Sequence, residues 1–243
     1  MAVVVETKWL KNLLDKVKAI NRVATFNFAS DGLVVNILDD AGIIGMYSKY
    51  GVALFPDYKE IGEFHIDVED LAKMIKGSFK TDGTVEISMR KDMVFIKGTT
   101  EKIRFRVYET PPNKLFTEDP IEEKYGFIKE GMNYDVVATL DVNSLTSLPT
   151  ADEYRISYNT KKIEIEVESV YGGYTRELPF VNPEFKDKDV SGSIVVPGKY
   201  FRKVVKNIKD YIYVGLHPEQ PLLLSKVEAD YKETYYISLI EVE

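Results

Sequence analysis

The chain contains no cysteine. That excludes a disulfide framework, a thiolate zinc site and a cysteine nucleophile. Histidine occurs only at His65 and His217, far apart in sequence, and neither has a carboxylate at triad or zinc-ligand spacing. A structural role is the expectation for both. There is no glycine-rich phosphate loop, and Tyr171-Gly172-Gly173-Tyr174 reads as a hairpin turn. Asp39-Asp40 and the Asp67, Glu69, Asp70 group could hold a divalent ion, but acids at strand ends and helix starts usually serve turns and caps. The expectation is therefore a protein that is not an enzyme, with no catalytic residue, metal or cofactor. No apolar run approaches the ~20 residues that span a bilayer. The opening Met-Ala-Val-Val-Val-Glu is too short for a signal peptide and lacks a basic start. The expected location is the cytoplasm, with no membrane partner. Gln220 is the only glutamine, while Lys and Glu are abundant, a bias resembling hyperthermophile usage.

What is present is a globular composition. The 243 residues are 44% hydrophobic and 29% charged, enough for two ordinary domains with real cores. The net charge of −7 by itself argues against nucleic acid. Its distribution argues the other way.

A unit recurs four times: a short helix followed by three strands. The helices are expected at 9–21, 67–77, 141–148 and 198–209. In the first, Leu10, Leu13, Leu14, Val17 and Ile20 fall on one face, and Lys8, Lys11, Asp15, Lys18 and Arg22 on the other. In the second, Asp67 is the expected N-cap, Val68, Leu71, Ala72 and Ile75 the buried stripe, and Glu69, Lys73, Lys76 and Lys80 the opposite one. The third is stunted by Pro149. In the fourth, Phe201, Val204, Val205 and Ile208 are apolar, while Lys199, Arg202, Lys203, Lys206 and Lys209 are cationic. Alternating segments between the helices read as strands, among them the run from Ile163 to Glu168 with its charged outer face. Residues 179–189 read as an acidic loop. Periodicity lapses between Glu109 and Asn133, where Pro111, Pro112 and Pro120 suggest an extended connector. The expected organisation is a domain at 1–109, a connector at 110–133 and a second domain at 134–243.

The charge follows these elements. Residues 8–22 and 198–210, spanning the first and fourth helices, are each net +4, residues 67–80 are neutral and residues 141–150 are −1, so the remainder of the chain carries −14. Each helix needs a sheet to cover its apolar stripe. The expected fold is α+β, with two similar domains, each packing two helices on a curved antiparallel sheet. The helices lie on the concave side, so their cationic stripes share a surface. Such a surface would hold phosphates without reading sequence. The same stripes also read as solvated faces, because Lys is a good helix former.

The sequence resembles the PCNA-type sliding DNA clamps of archaea and eukaryotes. The resemblance rests on the order of elements, the mid-chain connector and three local matches. These are Phe26-Asn27-Phe28 through Gly32 and Leu33 to Leu38-Asp39-Asp40-Ala41, then Pro221-Leu222-Leu223-Leu224, then Tyr235-Tyr236-Ile237. It implies a processivity factor whose three subunits, copies or paralogues, form a ring around duplex DNA. Polymerase, clamp loader and other replication and repair proteins would be its partners. By position, the implied DNA contacts are Lys11, Lys18, Arg22, Lys73, Lys76, Lys80, Lys199, Arg202, Lys203, Lys206 and Lys209. The implied partner contacts are Leu38, Ile43, Pro221, Tyr236 and Leu239, roofed by the connector around Phe116 and Ile121. Ordinary core packing is the competing reading of Leu38 and Ile43. Strand 102–108 would pair with 174–178 of a neighbouring subunit.

The sequence departs from the family in three places. The third helix has Ser144, Thr146 and Ser147 and no cation, the second is neutral, and Ser238-Leu239 replaces the usual Ala-Pro. These fit a divergent or viral clamp, or one subunit of a heteromeric ring. The alternatives are a clamp-fold subunit that forms no ring of its own, acting as a monomeric processivity factor or in damage signalling, and a β-rich two-domain protein with no DNA role.

Overall fold

Expected strands such as Thr84–Arg90 and Glu153–Asn159 alternate buried and more exposed side chains because one face of the sheet covers helices and the other meets water, whereas Ile44–Gly51 and Leu222–Val227 carry runs of buried residues. The computed structural model describes residues 1–169 and 172–241. It divides into two units, one of residues 1–40, 45–117 and 228–232, the other of 41–44, 118–227 and 233–243.

The first unit runs β1 (Val3–Glu6), α1 (Thr7–Lys18), β2 (Val23–Ala29), β3 (Gly32–Leu38), β4 (Ile44–Gly51), β5 (Gly62–Asp67), α2 (Val68–Ser78), β6 (Thr84–Arg90), β7 (Met93–Lys97) and β8 (Lys102–Arg106). Its two antiparallel sheets are ordered β1-β6-β7-β8 and β4-β3-β2-β5. The repeat is thus a strand, a helix and three strands, and the leading strand joins the sheet of the other repeat. Sequence periodicity showed the helix and three strands but not this exchange. It also left the 1–6 segment unassigned, although Val3 and Val5 are fully buried.

The expected apolar stripes are all interior. Leu10, Leu13 and Leu14 of α1 and Leu71 of α2 share one cluster with Phe26, Phe28, Phe64, Ile87, Val94 and Ile96. Phe64 stacks at 5.9 Å from both Phe26 and Phe28. The β2–β3 turn needs its glycine, because Gly32 has φ +137° and a Cβ there would lie 2.1 Å from the Tyr50 carbonyl oxygen.

The second unit runs β9 (Ile121–Glu123), β10 (Gly126–Ile128), β11 (Val136–Asp141), α3 (Val142–Thr146), β12 (Glu153–Asn159), β13 (Ile163–Ser169), β14 (Gly172–Leu178), β15 (Val181–Phe185), β16 (Ser191–Pro197), α4 (Gly198–Val205), β17 (Tyr211–Leu216), β18 (Leu222–Val227) and β19 (Tyr231–Ile237). The same exchange recurs: β16 heads the sheet of β12, β13 and β14, and β11 joins β17. The expected loop at 179–189 contains a strand, β15, paired to β11 across a register shift between Val137 and Thr139. Gly172 and Gly173, expected in a turn, belong to β14, and Tyr171 lies outside the described residues.

Four backbone hydrogen bonds mark the repeats as equivalents. The first N–H of each helix bonds the residue just before a strand of the other repeat. Thr7 donates to Gly83 (3.0 Å), Val68 to Arg22 (2.9 Å), Val142 to Asp210 (2.8 Å) and Gly198 to Asp152 (2.6 Å). Each bond satisfies an amide that a helix start leaves open.

The expected extended connector is held along much of its length. Its first part is fixed in the first unit by Asn36, whose side chain accepts from the Leu115 N–H (2.8 Å) and donates to the Phe116 carbonyl (2.7 Å). Its later part folds as the β9–β10 hairpin in the second unit. There the Phe127 N–H donates to Thr234 Oγ1 (2.9 Å), and the Tyr236 hydroxyl donates to the Phe127 carbonyl (2.7 Å).

Candidate nucleic-acid interface

The cationic positions divide by unit. In the first unit, Asp15 on α1 lies between two helices' cations. Its carboxylate meets Lys18 Nζ at 2.6 Å and Lys76 Nζ, on α2, at 2.9 Å. Burial would push this carboxyl up, but the two lysines outweigh it and hold it below the ordinary carboxylate value. Arg22 pairs with Asp67 (2.6 Å), and Lys73 with Glu69 (2.8 Å). Asp67 is the expected N-cap of α2 and accepts from the Asp70 N–H at 3.0 Å. Burial works against its charge, while that N–H and the Arg22 guanidinium prevail and lower its pKa.

In the second unit most of the cations on and after α4 stand without acids. Lys199, Arg202, Lys206 and Lys209 have no carboxylate oxygen within 4.0 Å among the described residues. Lys199 and Lys203 lie 5.6 and 5.5 Å from the centroid of the Tyr200 ring. Lys199, Lys203 and Lys206 line an open groove of about 370 Å³ with Arg202, Thr150 and Asp152.

Two of the expected DNA contacts serve the protein itself. Lys11 is the fifth residue of α1, and its Nζ donates to the Phe79 carbonyl just past α2 (2.9 Å). Arg202 is the fifth residue of α4, and its guanidinium donates to the Leu148 carbonyl just past α3 (2.8 Å). The positions correspond, and so do the roles: each cation caps the C-terminal end of the neighbouring helix.

Three of the helices are shorter than periodicity suggested, and α2 keeps its expected length. Arg22, Lys80 and Lys209 lie beyond helix ends, and Lys206 is the C-cap of α4. The third helix keeps only five residues, because Thr146 and Ser147 hydroxyls bond back to Asn143 and Ser144 carbonyls. It has no cation of its own, but Arg176 of β14 reaches it, donating to Ser147 Oγ at 2.6 Å and to the Ser144 carbonyl at 3.2 Å. Sequence reasoning passed over Arg176, which no local pattern links to α3. It also left out Lys8, which is exposed on α1 and was visible as the first member of its cationic stripe.

The partner positions are unequal. Ile121 is 48% exposed, whereas Phe116 and Tyr236 are 5% and 3% exposed. Leu38, Ile43, Pro221 and Leu239 are half-buried. The Ile43 carbonyl accepts from the Ser238 N–H (2.8 Å), and the Pro221 carbonyl accepts from the Tyr134 hydroxyl (3.2 Å).

Both histidines make local bonds. His65 Nδ1 lies 2.8 Å from Thr25 Oγ1, and His217 Nδ1 accepts from the Glu219 N–H at 3.0 Å. Among the described residues, no group of three or more His, Cys, Asp or Glu is placed to hold a metal. No helix there is long and apolar enough to cross a membrane.

No protein-family model matches the sequence, and no curated protein matches it. Solved structures do. The C-terminal region of FEN-1 bound to A. fulgidus PCNA is similar with a TM-score of 0.81 and 15% identity, covering 100% of this chain and 99% of that one. PCNA from Entamoeba histolytica is similar with a TM-score of 0.78 and 13% identity over 99% and 98% of the two chains. PCNA from Thermococcus kodakaraensis gives 0.77 and 15% over 98% and 99%. At these identities the likeness is one of backbone. It is full-length in both directions, with few helices, mostly antiparallel sheets and two similar units. The chain has the α+β fold of the PCNA clamps from end to end.

Proposed function

We propose that this chain is a DNA sliding clamp, a processivity factor that closes with further subunits around duplex DNA and tethers replication and repair enzymes. The observation that carries the reading is the full-length clamp fold combined with Lys199, Lys206 and Lys209, which no carboxylate among the described residues neutralises. Its action is topological, so no catalytic step is assigned. A closed ring stays on DNA while weak phosphate contacts let it slide, and tethering raises the local concentration of bound enzymes.

The phosphate contacts are assigned first to Lys199, Lys203, Lys206, Lys209 and Lys80. Lys18, Arg22, Lys73 and Lys76 contribute by exchanging carboxylates for phosphates. Lys11 and Arg202 act through the helices that they cap. Segment 110–133 is the proposed connector between domains. Subunits would join by pairing β8 of one copy with β14 of the next, both of them edge strands. Binding of the FEN-1 C-terminal region to the A. fulgidus protein supports a terminal segment of another protein as the form of partner. Ile121, Ile43, Pro221 and Leu239 are its proposed contacts in the second unit, and Leu38 in the first. Phe116 and Tyr236 would support them from within.

Two measurements test the proposal. The mass in solution should be that of a trimer, alone or with paralogous subunits. The chain should also lengthen the run of a PCNA-dependent polymerase on primed circular DNA in a salt-sensitive way, and Lys203→Glu with Lys206→Glu should remove the effect. A monomer that never stimulates, with or without candidate subunits, would overturn it.

A further inference from the structure

Outside the four helical segments the chain is net −14, but that charge is not evenly spread. Residues 84–106, which form β6, β7 and β8, are net +3 in an acidic chain. Register places most of that charge on the face turned away from α1 and α2. One cross-strand row is Glu86, Lys97, Lys102, the next is Ser88, Phe95, Arg104, and the third is Arg90, Met93, Arg106. The alternate residues Val85, Ile87, Val94, Ile96 and Ile103 are buried beneath. Arg90, Lys97 and Arg104 are exposed and unpartnered among the described residues, and Arg106 lies 3.5 Å from Asp92. Phe95 sits half-exposed in the middle row, and Lys102 Nζ lies over its ring, 4.6 Å from the centroid.

The equivalent sheet of the second unit has the opposite sign. Its outer face carries Glu153, Glu164, Glu166, Glu168 and Glu177 against Arg155 and Lys162. The basic face is therefore a property of one unit and not of the fold.

We propose that the outer face of β6–β8 binds single-stranded nucleic acid, separately from any duplex held by the helices. Lys102, Arg104 and Arg106 alternate along β8, spaced roughly 6.7 Å apart. This suits the phosphate repeat of an extended strand. The central aromatic ring distinguishes the ligand. An acidic peptide would use the cations alone, whereas a nucleotide also stacks a base. The inference stands whether or not the chain encircles DNA.

The test uses the full chain and a fluorescein-labelled oligothymidine, read by anisotropy over a salt series. The variants are Phe95→Leu, which keeps apolar bulk, and Lys97→Ser. Both lie on β7, one strand in from the free edge, so β8 remains able to pair with a neighbour and the mass in solution should not change. Phe95→Leu should weaken binding roughly tenfold. Lys97→Ser should flatten the salt slope by about 0.7. Binding that survives both variants but is lost with Lys203→Gln and Lys206→Gln would overturn the proposal, because the strand would then lie on the helices. Equal displacement by polyglutamate with no effect of Phe95→Leu would also overturn it, in favour of an acidic protein ligand.

Discussion

The helix pairs α1/α2 and α3/α4 occupy equivalent places in repeats of the same topology, yet they handle charge differently. The first pair is rich in cations and neutralises many of them internally, through Asp15, Asp67 and Glu69. The second has cations on one helix only, and of these Lys199 and Arg202 have no carboxylate within 4.0 Å among the described residues. Counting lysines therefore misjudges both pairs. What matters for a polyanion is the charge left after the protein has satisfied itself. Exposed ion pairs are individually weak, so the first pair remains able to exchange partners.

The sharpest break between the pairs is steric. Thr7 and Gly198 are equivalent helix starts, and only the second is tight. A Cβ at Gly198 would lie 2.1 Å from the Ala151 carbonyl oxygen. Backbone must move to admit it. Gly198→Ala is expected to cost about 3 kcal/mol in denaturant unfolding. At the other start, Thr7 is buried and its hydroxyl has no partner. Thr7→Val should therefore be neutral or stabilising, by up to about 1 kcal/mol. Similar losses at both sites would remove the steric contrast between the two starts.

Next in size are the capping cations. Arg202→Met and Lys11→Met should each cost about 1–2 kcal/mol of stability through the carbonyls left unserved at the ends of α3 and α2. Neither should reduce the salt slope of duplex binding by the full unit expected of a phosphate contact. A loss of slope without loss of stability would return both residues to the DNA surface.

Smaller still is the difference between paired and unpaired lysines. Lys199→Gln with Lys206→Gln should lower the duplex salt slope by about two. Lys73→Gln with Lys76→Gln should lower it by about one, because these lysines must first release Glu69 and Asp15. Equal slopes would remove the distinction on which the comparison rests.

These contrasts also show what the sequence could tell. The stripes at helical spacing were legible because Leu10, Leu14 and Val17, or Phe201, Val204 and Val205, carry their periodicity within one segment. The N-cap Asp67 was legible for the same reason. The exchange of leading strands was not, since nothing local in Val3–Glu6 says which sheet it joins. Strand β15 escaped because Asn182 at φ 49° and Pro183 break its alternation. The candidate site divides along the same line. Positions of cations follow from spacing, but their availability depends on bonds such as Lys76 to Asp15, which are 61 residues apart. The basic sheet face was recoverable from Lys102, Arg104 and Arg106, whose spacing of two is a strand's and not a helix's.

Asp15 gives the smallest and most specific test. Its carboxylate is the point where the first pair spends two lysines on itself, so Asp15→Asn should make α1/α2 resemble α4. Duplex binding at low salt is expected to tighten about twofold, with a steeper salt dependence. Stability carries an independent signature. The carboxyl has a lowered pKa in the folded chain. Its contribution is therefore fully present above the unfolded value of about 3.9 and is lost as pH falls through the lower folded value. Asp15→Asn should remove that part of the acid limb while leaving the limb due to Asp67 in place. Titrating stability from pH 6 to pH 2 in both proteins would show it. If the two curves run parallel below pH 4 while duplex affinity rises, Asp15 opposes DNA without binding its lysines. If affinity stays flat, Lys18 and Lys76 do not face the duplex at all.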